Sequence, residues 1–184
     1  MRRRLVSVLL AASLGCGGSG GPSPAREVRA SSGHGYALLY EMLGQEREVA
    51  KLLLIKMERD ALEAVIRPIA ETCGEAYERL EALGKADPGL DLVDTGLPLE
   101  EVRTRKAIAA TRRDQLLAAS GRELELQLLL TQNEALTYMA HLADTLSRSE
   151  PDPARLEFVR ALWKELTLLQ EDVLALARRP GGPR

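Results

Sequence analysis

The chain has 184 residues, of which 45% are hydrophobic and 28% charged but only 3% aromatic. Its 34 Leu and 24 Ala stand against 13 Val and Ile together, which favours helices and leaves little material for sheets. A formal net charge of −2 excludes the strong basic excess of a nucleic-acid binder, and the length suits one domain with an appendage.

Residues 1–15 read as a signal peptide. Arg2, Arg3 and Arg4 precede an apolar run from Leu5 to Leu14, too short for a permanent span, which needs about 20 apolar residues. Ser13-Leu14-Gly15-Cys16 follows, and then a Gly/Ser/Pro stretch from Gly17 to Pro24. Small residues before a cysteine, with such a tether after it, resemble the lipobox of bacterial lipoproteins. Ser13 stands where that family carries Leu, with Leu14 one place later. The resemblance implies lipidation of Cys16 and cleavage before it, and Gly17 after the cysteine resembles an outer-membrane destination. Loss of residues 1–15 leaves 22 basic against 27 acidic side chains, so membrane association would rest on acyl chains rather than a basic patch. Residues 16–33 are expected to be the lipidated cysteine and a flexible tether, 34–179 a helical bundle, and 180–184 a disordered tail.

Helical periodicity starts at Tyr36. Leu39, Leu43, Ala50, Leu54, Met57, Ala61, Val65, Ile69, Cys73, Ala76, Leu80 and Leu83 recur at helical spacing. Pro68 interrupts them, so helix is expected over 36–66 and again over 68–85, separate or as one kinked rod. Asp87-Pro88-Gly89 and Thr95-Gly96-Leu97-Pro98 place a loop at 86–98. A third arm, beginning near Pro98, carries a stripe of Leu117, Leu124, Leu128, Thr131, Ala135, Tyr138, Leu142 and Leu146. Within it Ser120-Gly121-Arg122-Glu123 has the form of a capping box and marks a bend or tight junction. Ser149 to Pro153 ends this arm. The last helix, 153–178, alternates Val159, Leu166 and Val173 with Leu162, Leu169 and Leu176, the a/d spacing of helix-on-helix packing. These elements predict an all-α, up-down bundle of four or five helices with long, kinked arms.

Catalytic parts are missing from the pattern. No P-loop, Gly-rich dinucleotide loop, zinc-protease helix or Cys-x-x-Cys pair occurs. A di-metal bundle needs Glu-x-x-His twice, but Ser31 and Tyr138 stand three residues before His34 and His141. No catalytic residue, metal ligand or cofactor other than the lipid on Cys16 is therefore assigned. Cys73 is expected to be a buried apolar residue, and Glu46, Lys56 and Asp60 a solvated helix edge. Arg105, Lys106, Arg112 and Arg113 cluster over two turns as a candidate surface for lipid head groups or another anion.

Three stretches resemble a family of secreted bacterial four-helix proteins of unknown function, predicted to be ferritin-like. They are Val65 to Lys85, Ser120-Gly121-Arg122-Glu123-Leu124, and Asp152-Pro153 followed by Leu156 and Phe158. That family's helices usually carry histidines, which residues 65–133 and 142–184 lack, so no metal site carries over. The expectation is a lipid-anchored envelope lipoprotein facing the periplasm, not an enzyme, that binds envelope protein partners and no nucleic acid. The alternatives are a ferritin-like metal-binding or stress protein and a hydrophobic-ligand carrier.

Overall fold

A computed structural model describes residues 24–51 and 60–179. The expected signal peptide, Cys16, the first part of the expected tether, Leu54, Lys56, Met57 and residues 180–184 lie outside the described residues. Five helices occupy the described chain, with no strand among them: α1 Pro24–Glu46, α2 Asp60–Ala86, α3 Leu99–Ala118, α4 Gly121–Ser147 and α5 Pro153–Ala177. The all-α bundle is present, with five helices among the described residues.

Four of the helices form a ring around one core. α4 and α5 pair most extensively, α1 packs on α2 and α4, and α2 packs on α5. Cross-helix contacts show every neighbour to be antiparallel. Tyr40 stacks on Tyr77 at 4.1 Å between ring centroids and its hydroxyl donates to Glu81, whereas Arg47, seven residues on, covers the Tyr77 ring at 4.0 Å and lies beside Gly74, earlier in α2. Between α1 and α4, Tyr36 meets Glu150 just past the helix end, whereas Glu46 meets Gln132. The core is Leu-rich, with Tyr36, Leu39, Leu43, Ile66, Ile69, Leu128, Leu136, Met139, Val159 and Leu166 all buried. Burying a large aliphatic side chain contributes about 1.5–3 kcal/mol, so this single cluster dominates the fold.

Three boundaries differ from expectation. Helix α1 starts at Pro24, inside the stretch expected as tether; a proline suits the first turn, and Ala25-Arg26-Glu27 continue it with good helix formers. The break expected at Pro68 falls earlier, where α1 gives way to a turn at 47–49. Pro68 lies inside α2. Its missing N–H is tolerated because Ile66, Ile69, Cys73, Ala76 and Leu80 continue one buried face across it. Ala119 and Ser120 are extended, and Gly121 has φ +56°, a conformation that costs glycine little. The junction is therefore a reversal that folds α3 back along α4.

The caps are uneven. Ser120 occupies the N-cap of α4, but its side chain makes no capping hydrogen bond, so the predicted box supplies a position and not a bond. Asp152 is a true cap: its Oδ1 accepts from the Arg155 N–H at 2.9 Å, with Pro153 opening α5. In α5, Val159, Leu162, Leu166, Val173 and Leu176 are buried as the heptad predicted. The buried stripe of α4 is rotated from its expected position. Leu124, Leu128 and Leu146 are buried as expected, but between them Gln132, Leu136, Met139 and Ala143 line the core, while Tyr138 is 40% exposed and Leu117, on α3, is 43% exposed. The polar Gln132 concealed that centre line.

Candidate functional site

Helix α3 buries none of its side chains. It lies outside the four-helix ring, against α4, and polar groups make most of its attachment. The Arg105 guanidinium lies 5.6 Å from the Tyr138 ring centroid and its Nε donates to Glu101 at 2.8 Å. Arg112 pairs with Glu134 of α4 at 2.5 Å. Leu116 adds a partly buried apolar contact. Arg105 and Arg112 are seven residues apart and share one helix face, so the helix projects both toward α4.

The other half of the basic cluster points elsewhere. Lys106 and Arg113, one position further along, are exposed on a neighbouring face. Among the described residues Arg113 is partnered only by its exposed neighbour Asp114, at 3.1 Å. The four residues read as one patch are thus two pairs: Arg105 and Arg112 fasten α3, and Lys106 and Arg113 face solvent. Arg103 joins the exposed pair at helical spacing, as do Leu99 and Leu117, which are 56% and 43% exposed. The sequence signal for this larger surface is the 4-3-4-3-4 spacing of Leu99, Arg103, Lys106, Ala110, Arg113 and Leu117. Cys16, the predicted lipidation residue, lies outside the described residues.

Below the start of α3, a polar knot locks one end of the bundle. Glu150, buried in the α4–α5 turn, accepts from the Tyr36 hydroxyl at 2.7 Å, the Asp152 N–H at 2.8 Å and Arg155 Nε at 3.0 Å. Arg155 also pairs with Asp87 in the α2–α3 loop. Burial acts to raise the Glu150 pKa, but the bonds from Arg155, Tyr36 and the Asp152 N–H outweigh it and hold the carboxyl below its ordinary value. Burial and the neighbouring carboxylate push the Tyr36 phenol upward. The loop itself is set by aspartates: Asp87 accepts from Gly89 N–H, Asp91 from Val93 N–H, and Asp94 from Gly96 N–H. His34 sits 3.6 Å from Asp94 at this same end.

Toward the other end, Glu46 is drawn into the bundle rather than left on a solvated edge. Gln132 Nε2 donates to its Oε2 at 2.8 Å, and Gln132 Oε1 is buried without a partner among the described residues. Burial raises the Glu46 pKa, and the Gln132 bond offsets only part of this. Asp60 remains exposed at the start of α2. Cys73 is fully buried, and burial together with Glu46 pushes its thiol pKa far up, which disfavours the nucleophilic thiolate. Among the described residues no three His, Cys, Asp or Glu side chains gather as metal ligands would, and no helix is long and apolar enough to cross a membrane. His141 lines an open groove of about 600 Å³ on the outer face of α4 with Glu134 and Tyr138.

Fold and surface together define an antiparallel four-helix bundle carrying a polar-attached outer helix. Comparison with protein families, characterised proteins and solved structures finds no match.

Proposed function

We propose that the chain is a bacterial envelope lipoprotein, held to the outer membrane through lipid on Cys16, whose bundle is a non-enzymatic interaction or assembly module in the periplasm. The observation that carries this reading is α3: a 20-residue helix with no buried side chain, displayed on a well-packed scaffold. A helix that contributes so little to the core is costly to order unless its exposed face has another use. The Leu14-Gly15-Cys16 sequence after a short apolar run supports the anchor, because two or three acyl chains bind a bilayer stably.

Two measurements test the halves separately. Cys16→Ala should abolish fatty-acid labelling and release the chain from membranes; labelling that persists would refute the anchor. For the module, Lys106→Glu with Arg113→Glu should remove the adducts that the wild-type chain gives on chemical cross-linking in intact cells. Thermal unfolding should stay unchanged, since both positions are exposed. Undiminished adducts would count against α3 as the contact surface.

A further inference from the structure

We infer that the exposed stripe of α3 docks into the groove between α2 and α5 of a second copy of this chain. This deepens the reading of α3 as a contact surface and names its partner. The stripe Leu99, Arg103, Lys106, Ala110, Arg113 and Leu117 is exposed throughout, and its spacing is that of a helix seam. Arg103 and Lys106 have no ion-pair partner among the described residues, and Arg113 has only Asp114.

The α2–α5 groove is complementary to it. It holds about 190 Å³, has Ala76, Phe158 and Leu162 as a buried floor, and is rimmed by Glu75, Glu157 and Glu165, with Arg79 the single cation. Laid across such a groove, the helix sets the small Ala110 over the floor, and the flexible side chains of Lys106 and Arg113, about one turn to either side, reach the acidic rim. The register fits. Glu157 and Glu165 are about 12 Å apart along α5, and Lys106 and Arg113 about 10.5 Å apart along α3, at 1.5 Å per residue.

The two surfaces lie on different parts of the molecule, since α3 packs on α4 while the groove lies between α2 and α5. One chain cannot satisfy its own stripe, and the contact between copies is head to tail. Such contacts propagate into rings or filaments rather than stopping at a dimer. Being built on exposed charges, the assembly weakens as salt rises.

Disulfide trapping in the full-length chain tests the contact. Lys106→Cys combined with Glu165→Cys should give a reducible ladder of dimers, trimers and larger species on mild oxidation in cells. Each single variant should give dimers at most. The pair Ile108→Cys with Glu165→Cys, which places the α3 thiol on another face, should give no ladder. A missing ladder from thiols that still react with a maleimide, or equal ladders from both pairs, would overturn the inference. As a second reading, Lys106→Glu with Arg113→Glu should reduce the mass of the detergent-solubilised protein, and mixing with Glu157→Lys/Glu165→Lys chains should restore it. Adducts from α3 to other envelope proteins without self-trapping would refute self-assembly and leave the broader module reading standing.

Discussion

The Tyr36 hydroxyl donates to the Glu150 carboxylate across 2.7 Å, joining residues 114 positions apart. That bond ties α1 to the turn between α4 and α5, and Arg155 extends it to the α2–α3 loop through Asp87. Helix α1 and two connections of the bundle are thus linked through one carboxylate, whose side chain is 2% exposed.

Removing members of this knot should cost unequal amounts. Tyr36→Phe deletes one hydrogen bond to a charged acceptor, a loss of about 1–3 kcal/mol. Arg155→Ala leaves Glu150 buried without its cation and should cost about 3 kcal/mol or more. Because the folded pKa of Glu150 is depressed, its contribution is full above the unfolded value near 4.5 and is lost as pH falls through the folded value. Denaturant midpoints measured from pH 7 downward should therefore show a shallower acid loss in Arg155→Ala than in the wild type.

Glu46 should behave in the opposite sense. Its folded pKa is raised, so the folded state holds the proton more tightly than the unfolded chain. Stability then falls as pH rises from the unfolded value through the folded one, and the penalty is complete above both. Glu46→Gln removes the charge and supplies an amide N–H for the unpartnered Gln132 Oε1. The variant should be more stable than the wild type at pH 8, by about 1–2 kcal/mol, and the gain should shrink toward pH 4. Unfolding curves at the two pH values read this directly.

The two glycines with positive φ separate backbone cost from steric cost. Gly121, at φ +56°, has nothing within 4 Å of an added Cβ, so Gly121→Ala should cost about 1–2 kcal/mol. Gly121→Asn should cost less, because asparagine tolerates this region. Gly96, at φ +64°, would place a Cβ 2.7 Å from His34 Cε1. Gly96→Ala should therefore be the more destabilising by thermal unfolding, and His34→Ala in the same chain should recover part of the loss.

Legibility of the fold followed how local each cause was. The heptad of α5 and its Asp152-Pro153 entry could be read because both depend on residues within a few turns. The α1–α2 break was missed because the turn at Arg47, Glu48 and Val49 contains neither Gly nor Pro. Pro68 misled for the converse reason: its local penalty is offset by apolar contacts made on both sides of it. Gln132 is absent from the expected stripe because Glu46, the partner that suits it to the core, is 86 positions away. The candidate surface was half legible. Two turns of basic residues marked α3, but only the packing on Tyr138 and Glu134 separates fastening arginines from displayed cations.

The most direct test of the proposal that α3 is the contact surface of a membrane-tethered module is site-specific photo-cross-linking in living cells. A photoreactive residue at Ala110, in the middle of the exposed stripe, is compared with one at Glu41, exposed on α1 and away from the α2–α5 groove. Discrete light-dependent adducts from position 110 and none of the same mass from position 41 are predicted. No adduct at 110, or identical adducts at both positions, would contradict the account.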